Sequence, residues 1–137
     1  TLDPTGEQYL YHAPCHDPIK SDESSSVISK IVNSKVISND RCCGEAGTFA
    51  VARPDIAKQA KFRKELEIKK DKATMVKTNK PVKMLTTCPA CRQGLSRYQH
   101  ATNIKPVYPI ELIAEQQLGK NWKKEFIKSV RIEKVLL

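Results

Sequence analysis

The chain has 137 residues and a formal net charge of +9, with 39% apolar and 28% charged residues. A chain of this length buries roughly two-thirds of its unfolded surface, so it can fold on a hydrophobic core without metal or disulfides. No apolar run approaches the roughly 20 residues that cross a bilayer, and the polar, acidic start is unlike a secretory signal. We expect one domain over residues 1–137, without direct membrane insertion. The chain opens without Met, which suits a processed protein or an excised domain, and we favour an excised domain.

Much of the positive charge lies in the stretch from Lys58 to Lys83, which contains ten basic residues among few acidic ones. Such a stretch can indicate a nucleic-acid-binding protein. However, Phe62 is its only aromatic residue and no nucleic-acid-binding motif accompanies it. We therefore expect a solvated helix face followed by a basic loop, and no nucleic-acid partner. A docking surface for an acidic redox partner is the alternative.

The first elements in chain order are two short strands on either side of a modest helix. Extended runs are predicted at residues 9–12 and 35–38, and a helix at 24–32, where serines can cap its start. Pro54 and Asp55 then open the strongest predicted helix, because proline suits a first turn and aspartate suits the positive end of the helix dipole. It reaches about Lys70, with this apolar stripe: Ile56, Ala60, Phe62 or Arg63, Leu66 and Ile68.

The second half of the chain repeats the pattern. Strands are predicted at residues 82–87 and 106–108, and helices after Cys91 through Tyr98 and at 111–118. Gly119 suits a helix end, and Asn121 can cap a last amphipathic helix before an extended tail at 132–137. Alternating strands and helices predict an α/β, Rossmann-like parallel sheet of about four strands flanked by helices.

Each of the first three predicted strands runs directly into cysteine. Cys15 follows the first strand, Cys42 and Cys43 follow the second, and Cys88 and Cys91 follow the third. In open parallel sheets, ligand sites lie beyond the carboxyl ends of the strands. We therefore expect all five thiols to meet at one edge of the sheet.

The number and spacing of the cysteines favour a metal site. Five is an odd count, which argues against a simple disulfide framework, and the adjacent pair Cys42-Cys43 is poorly placed to form a bond with itself. The two-residue gap between Cys88 and Cys91 is shared by zinc ribbons, iron–sulfur proteins and thioredoxin-like redox pairs. All three chemistries remain open on spacing alone.

Glycines and histidines near the cysteines are candidates for a supporting shell. Gly44 and Gly47 allow a tight bend that brings backbone N–H groups near the sulfurs, where they stabilise thiolate charge. Alternation places His16 near the site and His12 at the end of the first strand. An imidazole there can be a zinc ligand or a hydrogen-bond donor. His100 is expected at the surface.

Three runs of sequence carry a family resemblance: Tyr11-His12-Ala13-Pro14-Cys15-His16, Arg41-Cys42-Cys43-Gly44-Glu45-Ala46-Gly47-Thr48-Phe49 and Thr87-Cys88-Pro89-Ala90-Cys91-Arg92-Gln93-Gly94. Together they resemble the cysteine-rich CCG domain of heterodisulfide reductase, of glycolate oxidase and anaerobic glycerol-3-phosphate dehydrogenase iron–sulfur subunits, and of lactate-utilisation proteins. The segment from Asn121 to Leu136 resembles the carboxyl end of large bacterial polypeptides that fuse a FAD-linked oxidase to iron–sulfur domains.

The resemblance implies a cluster of the 4Fe-4S type, with zinc instead in some members, held by the thiolates of Cys15, Cys42, Cys43, Cys88 and Cys91. It implies electron transfer within an oxidoreductase acting on lactate, glycolate or another 2-hydroxy acid. FAD is then expected only in a partner domain or subunit, because the chain has no flavin fingerprint. Other iron–sulfur domains are expected partners, in the cytoplasm or at the inner membrane face. The alternatives are a zinc-stabilised structural or docking domain and thiol–disulfide chemistry at Cys88 and Cys91, with Arg92 near enough to lower a thiol pKa.

Overall fold

Strands and helices alternate along the chain in the structure, a computed structural model that describes residues 1–3, 6–19, 24–45, 49–77 and 79–133. The elements in order are β1 (Tyr9–Tyr11), α1 (Ser24–Val32), β2 (Val36–Ser38), α2 (Phe49–Ala52), α3 (Pro54–Ala73), β3 (Val82–Leu85), α4 (Pro89–Ser96), α5 (Gln99–Thr102), β4 (Ile104–Val107), α6 (Pro109–Leu118) and α7 (Trp122–Glu133).

The four strands form one sheet in the order β2-β1-β3-β4. Each neighbouring pair is parallel, and Leu10 of β1 aligns with Ile37 on one side and Met84 on the other. The predicted α/β class and parallel sheet are therefore confirmed. Because all four strands run the same way, their carboxyl ends lie at one edge, which is called the carboxyl edge below.

Alternation along the strands sends side chains to two cores, one on each face of the sheet. Tyr9 and Tyr11 pack on one face with residues of α1, β3, β4 and α6. Leu10 and Met84 pack on the other face with Ile68 of α3 and Leu95 of α4. Burying both faces fixes the strand register, because a slip of one residue would exchange the two cores.

Several predicted boundaries differ from the structure. Helix α2 was not predicted, and β4 begins at Ile104, two residues before the predicted strand. The predicted extended tail is wrong at residues 132–133, which belong to α7, while residues 134–137 lie outside the described part of the chain.

The predicted apolar stripe of α3 is largely wrong. Its buried residues are Ala57, Lys64 and Ile68, whereas Phe62 and Leu66 are 59% and 51% exposed. The buried residues are spaced by seven and four, which keeps them on one helical face. A lysine therefore occupies a core-facing position of this helix.

Within the described ranges, no helix combines the length and apolar character that a membrane span requires.

Candidate metal centre

The cysteine-bearing loops begin where β1, β2 and β3 end, at the carboxyl edge. Sheet hydrogen bonding continues one residue past these strands: the His12 amide donates to Leu85 O at 2.8 Å, and the Asn39 amide donates to Tyr11 O at 2.8 Å. The ladder thus fixes the start of each loop. Three adjacent strands deliver all five cysteines to this edge, and all five are free thiols.

The interior of the site holds two thiols and an imidazole. Cys43 Sγ and Cys91 Sγ are 3.4 Å apart, although the residues are 48 positions apart in sequence. A ring nitrogen of His12 lies within 4.8 Å of both sulfurs, and all three residues are buried. His12 Nε2 has no hydrogen-bond partner among the described residues. A buried polar atom without a partner is costly, so this nitrogen needs a neighbour, and the sulfurs of Cys43 and Cys91 are within reach of the ring.

The rim of the site holds Cys15 and Cys42, which are both exposed. Partial burial raises the pKa of the Cys15 thiol, and the neighbouring sulfurs of Cys42 and Cys43 raise it further. These interactions place the thiol of the first loop close to the second loop. The Gly44 amide donates to Cys42 Sγ at 3.3 Å. Gly44 has a φ of +75°, a left-handed conformation that a glycine adopts without steric cost.

Cys88 and Cys91 are fixed by the start of α4. Cys88 is the N-cap residue in an extended conformation, Pro89 occupies the first turn, and Cys91 follows two residues later. The Cys88 amide approaches Thr86 Oγ1 at 3.5 Å. The positive end of the α4 dipole therefore points toward the sulfurs and favours negative charge there.

The two interior thiols share their protons unequally. A hydrogen bond from Cys91 is the largest effect on Cys43, and with His12 and the Glu45 amide it lowers the pKa of Cys43 despite burial. The same bond, together with burial, raises the pKa of Cys91. The pair therefore holds one negative charge readily, on the Cys43 side, and resists taking a second. A bound cation relieves that resistance, because it compensates both charges.

Glu45 joins the loop of the cysteine pair to two helices. Its carboxylate accepts from Arg97 and lies 3.5 Å from the Lys61 ammonium, and only 11% of its side chain is exposed. A Cβ built on Gly94 of α4 would lie 2.4 Å from Glu45 Cγ. Gly94 thus creates the space in which Glu45 holds the loop of Cys43 against the helix of Cys91.

Lys64 is the main residue of this region that sequence reasoning missed, because it lies inside the basic stretch interpreted as a solvated face. It is fully buried, and its ammonium contacts His12 Nδ1 at 2.9 Å and Arg41 O at 2.6 Å. The signal that could have found it is its helical spacing from Ala57 and Ile68.

The remaining candidates are placed as follows. His16 is exposed, whereas His12 is buried beside two thiols. Gly47 lies outside the described residues. The Arg92 guanidinium lies 4.6 Å from the centre of the Tyr108 ring and 3.4 Å from a Glu111 oxygen. The assignment of ligand and supporting roles stays a prediction.

The donor set fits a thiolate-bound metal. Two thiolates bound tetrahedrally to one zinc ion at about 2.3 Å lie about 3.8 Å apart. The sulfurs of Cys43 and Cys91, at 3.4 Å, reach that separation with a small movement. Soft sulfur ligands with an imidazole beside them suit zinc or iron–sulfur centres and do not suit magnesium or calcium.

The fold and the site together define the class of this protein: it is a parallel α/β, cysteine-rich domain whose thiols and imidazole form a donor set suited to a metal. The family model described as CCG, cysteine-rich domain, matches residues 9–96, which is more than half of the chain. The chain belongs to this family, as its sequence resemblance predicted. A second model, described as a domain of unknown function (DUF3400), matches residues 96–137. Its segment contains β4, which pairs with β3 of the CCG match. Searches of curated proteins and of solved structures gave no match.

Proposed function

We propose that this chain is the iron–sulfur electron-transfer module of a larger FAD-linked oxidoreductase. The cluster, of the 4Fe-4S type, is held by the thiolates of Cys15, Cys42, Cys43, Cys88 and Cys91. The observation that carries the proposal is that three adjacent parallel strands deliver five free thiols to one edge, where two of them are 3.4 Å apart.

The number of thiols favours a cluster over a single ion. A closed zinc site uses four ligands. With His12 beside Cys43 and Cys91, five thiols and one imidazole stand at this edge. A centre containing several iron atoms can use the whole thiol set and gives the adjacent pair Cys42-Cys43 a purpose.

The cysteine thiolates supply the negative charge that holds the cluster, and nearby backbone N–H groups stabilise that charge. When bound, an iron–sulfur cluster takes up and releases single electrons at a potential that its surroundings set. The Gly44 amide donates to one sulfur of the pair, and the Glu45 amide stabilises the charge on Cys43. Such hydrogen bonds are one of the means by which a protein sets that potential.

The exposed rim supports transfer to a partner. Cys15 and Cys42 are exposed, while Cys43 and Cys91 are buried. A cluster held by both pairs would have one side open to another redox centre. The carboxyl-terminal resemblance to fused FAD-linked oxidases supports a flavin domain and further iron–sulfur domains as partners, with a 2-hydroxy acid such as lactate or glycolate as the substrate of the whole enzyme.

The test is anaerobic loading of the purified chain with iron and sulfide, followed by joint assay of iron, sulfide and zinc and by visible absorbance. The proposal predicts iron and sulfide in cluster stoichiometry and broad visible absorbance that reduction bleaches. Protein that stays colourless and takes up no iron under these conditions contradicts it.

A zinc-stabilised structural domain is the second candidate, because Cys43, Cys91 and His12 already lie within 4.8 Å of one another and Cys88 adjoins Cys91. That candidate predicts one tightly bound zinc per chain, retained when iron and sulfide are offered. The same joint assay separates the two.

A further inference from the structure

The side chain of Lys64 ends in a buried cage of hydrogen-bond acceptors. Its ammonium contacts Asn39 Oδ1, Asn39 O at 3.3 Å, Arg41 O at 2.6 Å and His12 Nδ1 at 2.9 Å. Three of these are oxygens, and the fourth is an imidazole nitrogen. A lysine ammonium has three donors and no acceptor, so this cage stabilises the charged form.

The orientation of the cage is fixed from outside. The Asn39 side-chain amide donates to Asp71 Oδ2 at 2.5 Å, which turns the Asn39 carbonyl oxygen toward Lys64. Asp71 and Lys64 both lie on α3, so one helix positions both ends of this network. Burial lowers the pKa of Lys64 to about 8, while the charges of Glu67, Cys43 and Asp71 oppose that effect. Three carbonyl oxygens, which can only accept hydrogen bonds, face the nitrogen and favour its ammonium form.

A charged donor at Nδ1 determines which ring nitrogen of His12 carries the proton. A neutral imidazole has one N–H and one acceptor nitrogen. If Nδ1 accepts from Lys64, the proton is on Nε2. Metal-bound histidines show the opposite arrangement, in which the other nitrogen donates its proton to an oxygen. Asn39 O lies 3.2 Å from Nδ1 and could accept such a proton, but Lys64 is closer to Nδ1, at 2.9 Å. The contact of Lys64 with Asn39 O, at 3.3 Å, is its longest, so its three N–H groups go to Asn39 Oδ1, Arg41 O and His12 Nδ1.

We infer that Lys64 is a positioning residue that keeps the proton of His12 on Nε2, so that His12 donates a hydrogen bond to the sulfur of Cys43 and is not a metal ligand. The inference rests on the proposed function only in that the sulfur acceptor belongs to the metal site. It explains the buried Nε2 that lacks a partner among the described residues, since the sulfurs of Cys43 and Cys91 are within reach of the ring. It also explains why a lysine occupies a core-facing position of α3.

The first test reads the tautomer directly in metal-free protein. Two-bond ¹⁵N–¹H NMR of histidine-labelled protein at neutral pH distinguishes a protonated Nε2 from a protonated Nδ1. The inference predicts Nε2–H for His12 in the wild type and a shift of the proton to Nδ1 in Lys64→Met. Lys69→Met, an exposed lysine of the same helix paired with Glu65, is the matched control and should leave His12 unchanged. A wild-type His12 protonated on Nδ1 overturns the inference.

The second test uses metal-loaded protein and does not depend on Lys64→Met folding. His12→Gln keeps an N–H donor near the position of Nε2, and His12→Leu removes it. The inference predicts full iron content in both variants, a lower reduction potential in His12→Leu and a potential near the wild-type value in His12→Gln, because a hydrogen bond to sulfur raises the potential. Loss of iron or zinc from both variants identifies His12 as a ligand and overturns the inference.

The two proposals fail separately. If the wild type takes up no metal but shows Nε2–H at His12, the proposed function fails and the tautomer assignment stands. If an iron–sulfur cluster is bound but His12 carries its proton on Nδ1, the proposed function stands and the tautomer assignment fails.

Discussion

The two edges of the sheet treat their polar side chains differently. At the amino edge, Glu7 pairs with Lys83 at 2.7 Å and accepts from Tyr9 Oη at 3.1 Å, and both members of the ion pair are partly exposed. At the carboxyl edge, His12 and Lys64 are buried, and His12 Nε2 has no partner within the described part of the chain.

This difference between the two edges suggests that the amino edge contributes to stability and the carboxyl edge to function. At the amino edge, the side chains of Glu7, Lys83 and Tyr9 satisfy one another. The carboxyl edge combines buried polar atoms with thiols that resist a second negative charge, which is typical of a site that binds a ligand. Substitutions at the carboxyl edge should therefore change metal binding, and substitutions at the amino edge should change only stability, and by little.

The largest expected effect is loss of the metal centre. Cys42→Ser and Cys43→Ser should each abolish cluster assembly, because an alcohol is a poor ligand where a thiolate is needed. Iron and sulfide assays after anaerobic loading measure this effect. Lys69→Ala is the control and should keep the wild-type content. Full iron content in both serine variants would contradict the assignment of Cys42 and Cys43 as ligands. It would also contradict the functional difference between the two edges.

The next effect concerns the contact between the cysteine-pair loop and α4. Gly94→Ala places a Cβ against Glu45 Cγ and should cost about 1–3 kcal/mol of unfolding free energy, as overpacking does. Denaturant unfolding of metal-free protein measures this cost. In a Glu45→Ala background the colliding Cγ is absent, so Gly94→Ala should cost less there than in the wild type. An equal cost of Gly94→Ala in both backgrounds would show that collision with Glu45 Cγ is not the cause of the loss.

A matched pair of glycines separates backbone strain from metal binding. Gly44 and Gly119 both have positive φ, +75° and +85°, so alanine at either should cost about 1–3 kcal/mol. Gly44→Ala should also weaken metal uptake, because a side chain at this φ strains the turn that directs the residue 44 amide at Cys42 Sγ. Gly119→Ala should leave uptake unchanged, since a Cβ there meets nothing within 4 Å. Equal metal uptake by the two variants would show that the site does not require the left-handed turn at Gly44.

The smallest effect belongs to the amino edge. Partial burial alone would raise the pKa of Glu7, but its hydrogen bond with Lys83 and the charge of Lys83 outweigh burial and lower it. The stabilisation is therefore present above the ordinary carboxyl pKa and is lost as the pH falls through the lowered value. Glu7→Gln should cost about 0–1 kcal/mol at neutral pH and less in acid, measured by urea unfolding, with metal content unchanged. A drop in metal content would contradict the separation of the edges.

The sequence was enough to predict features that depend on neighbouring residues in the chain, such as the position of each cysteine run after a strand. Each cysteine-bearing run follows its strand directly, so parallel topology alone was enough to bring Cys15, Cys42 and Cys88 to one edge. The parallel topology itself followed from the alternation of strands and helices.

It failed where tertiary packing overrides side-chain character. The apolar residues Phe62 and Leu66 are exposed on α3, and Lys64 is buried, because the acceptors that surround it come from the ends of β1 and β2. Those acceptors lie 52 and 25 positions away in sequence. No local pattern contains that information. The burial of His12 similarly depends on hydrogen bonding of its amide to β3.

The claim that thiols from three loops surround one centre is tested most directly by alkylation of the rim. Cys15 and Cys42 are exposed, so both should react with iodoacetamide in metal-free protein at an alkaline pH that offsets the raised pKa of Cys15. Mass spectrometry of metal-loaded protein should then show strong protection of both thiols, together with Cys43, Cys88 and Cys91. If Cys15 reacts at the same rate in loaded and metal-free protein while the other four are protected, the first loop supplies no ligand and the shared centre is contradicted.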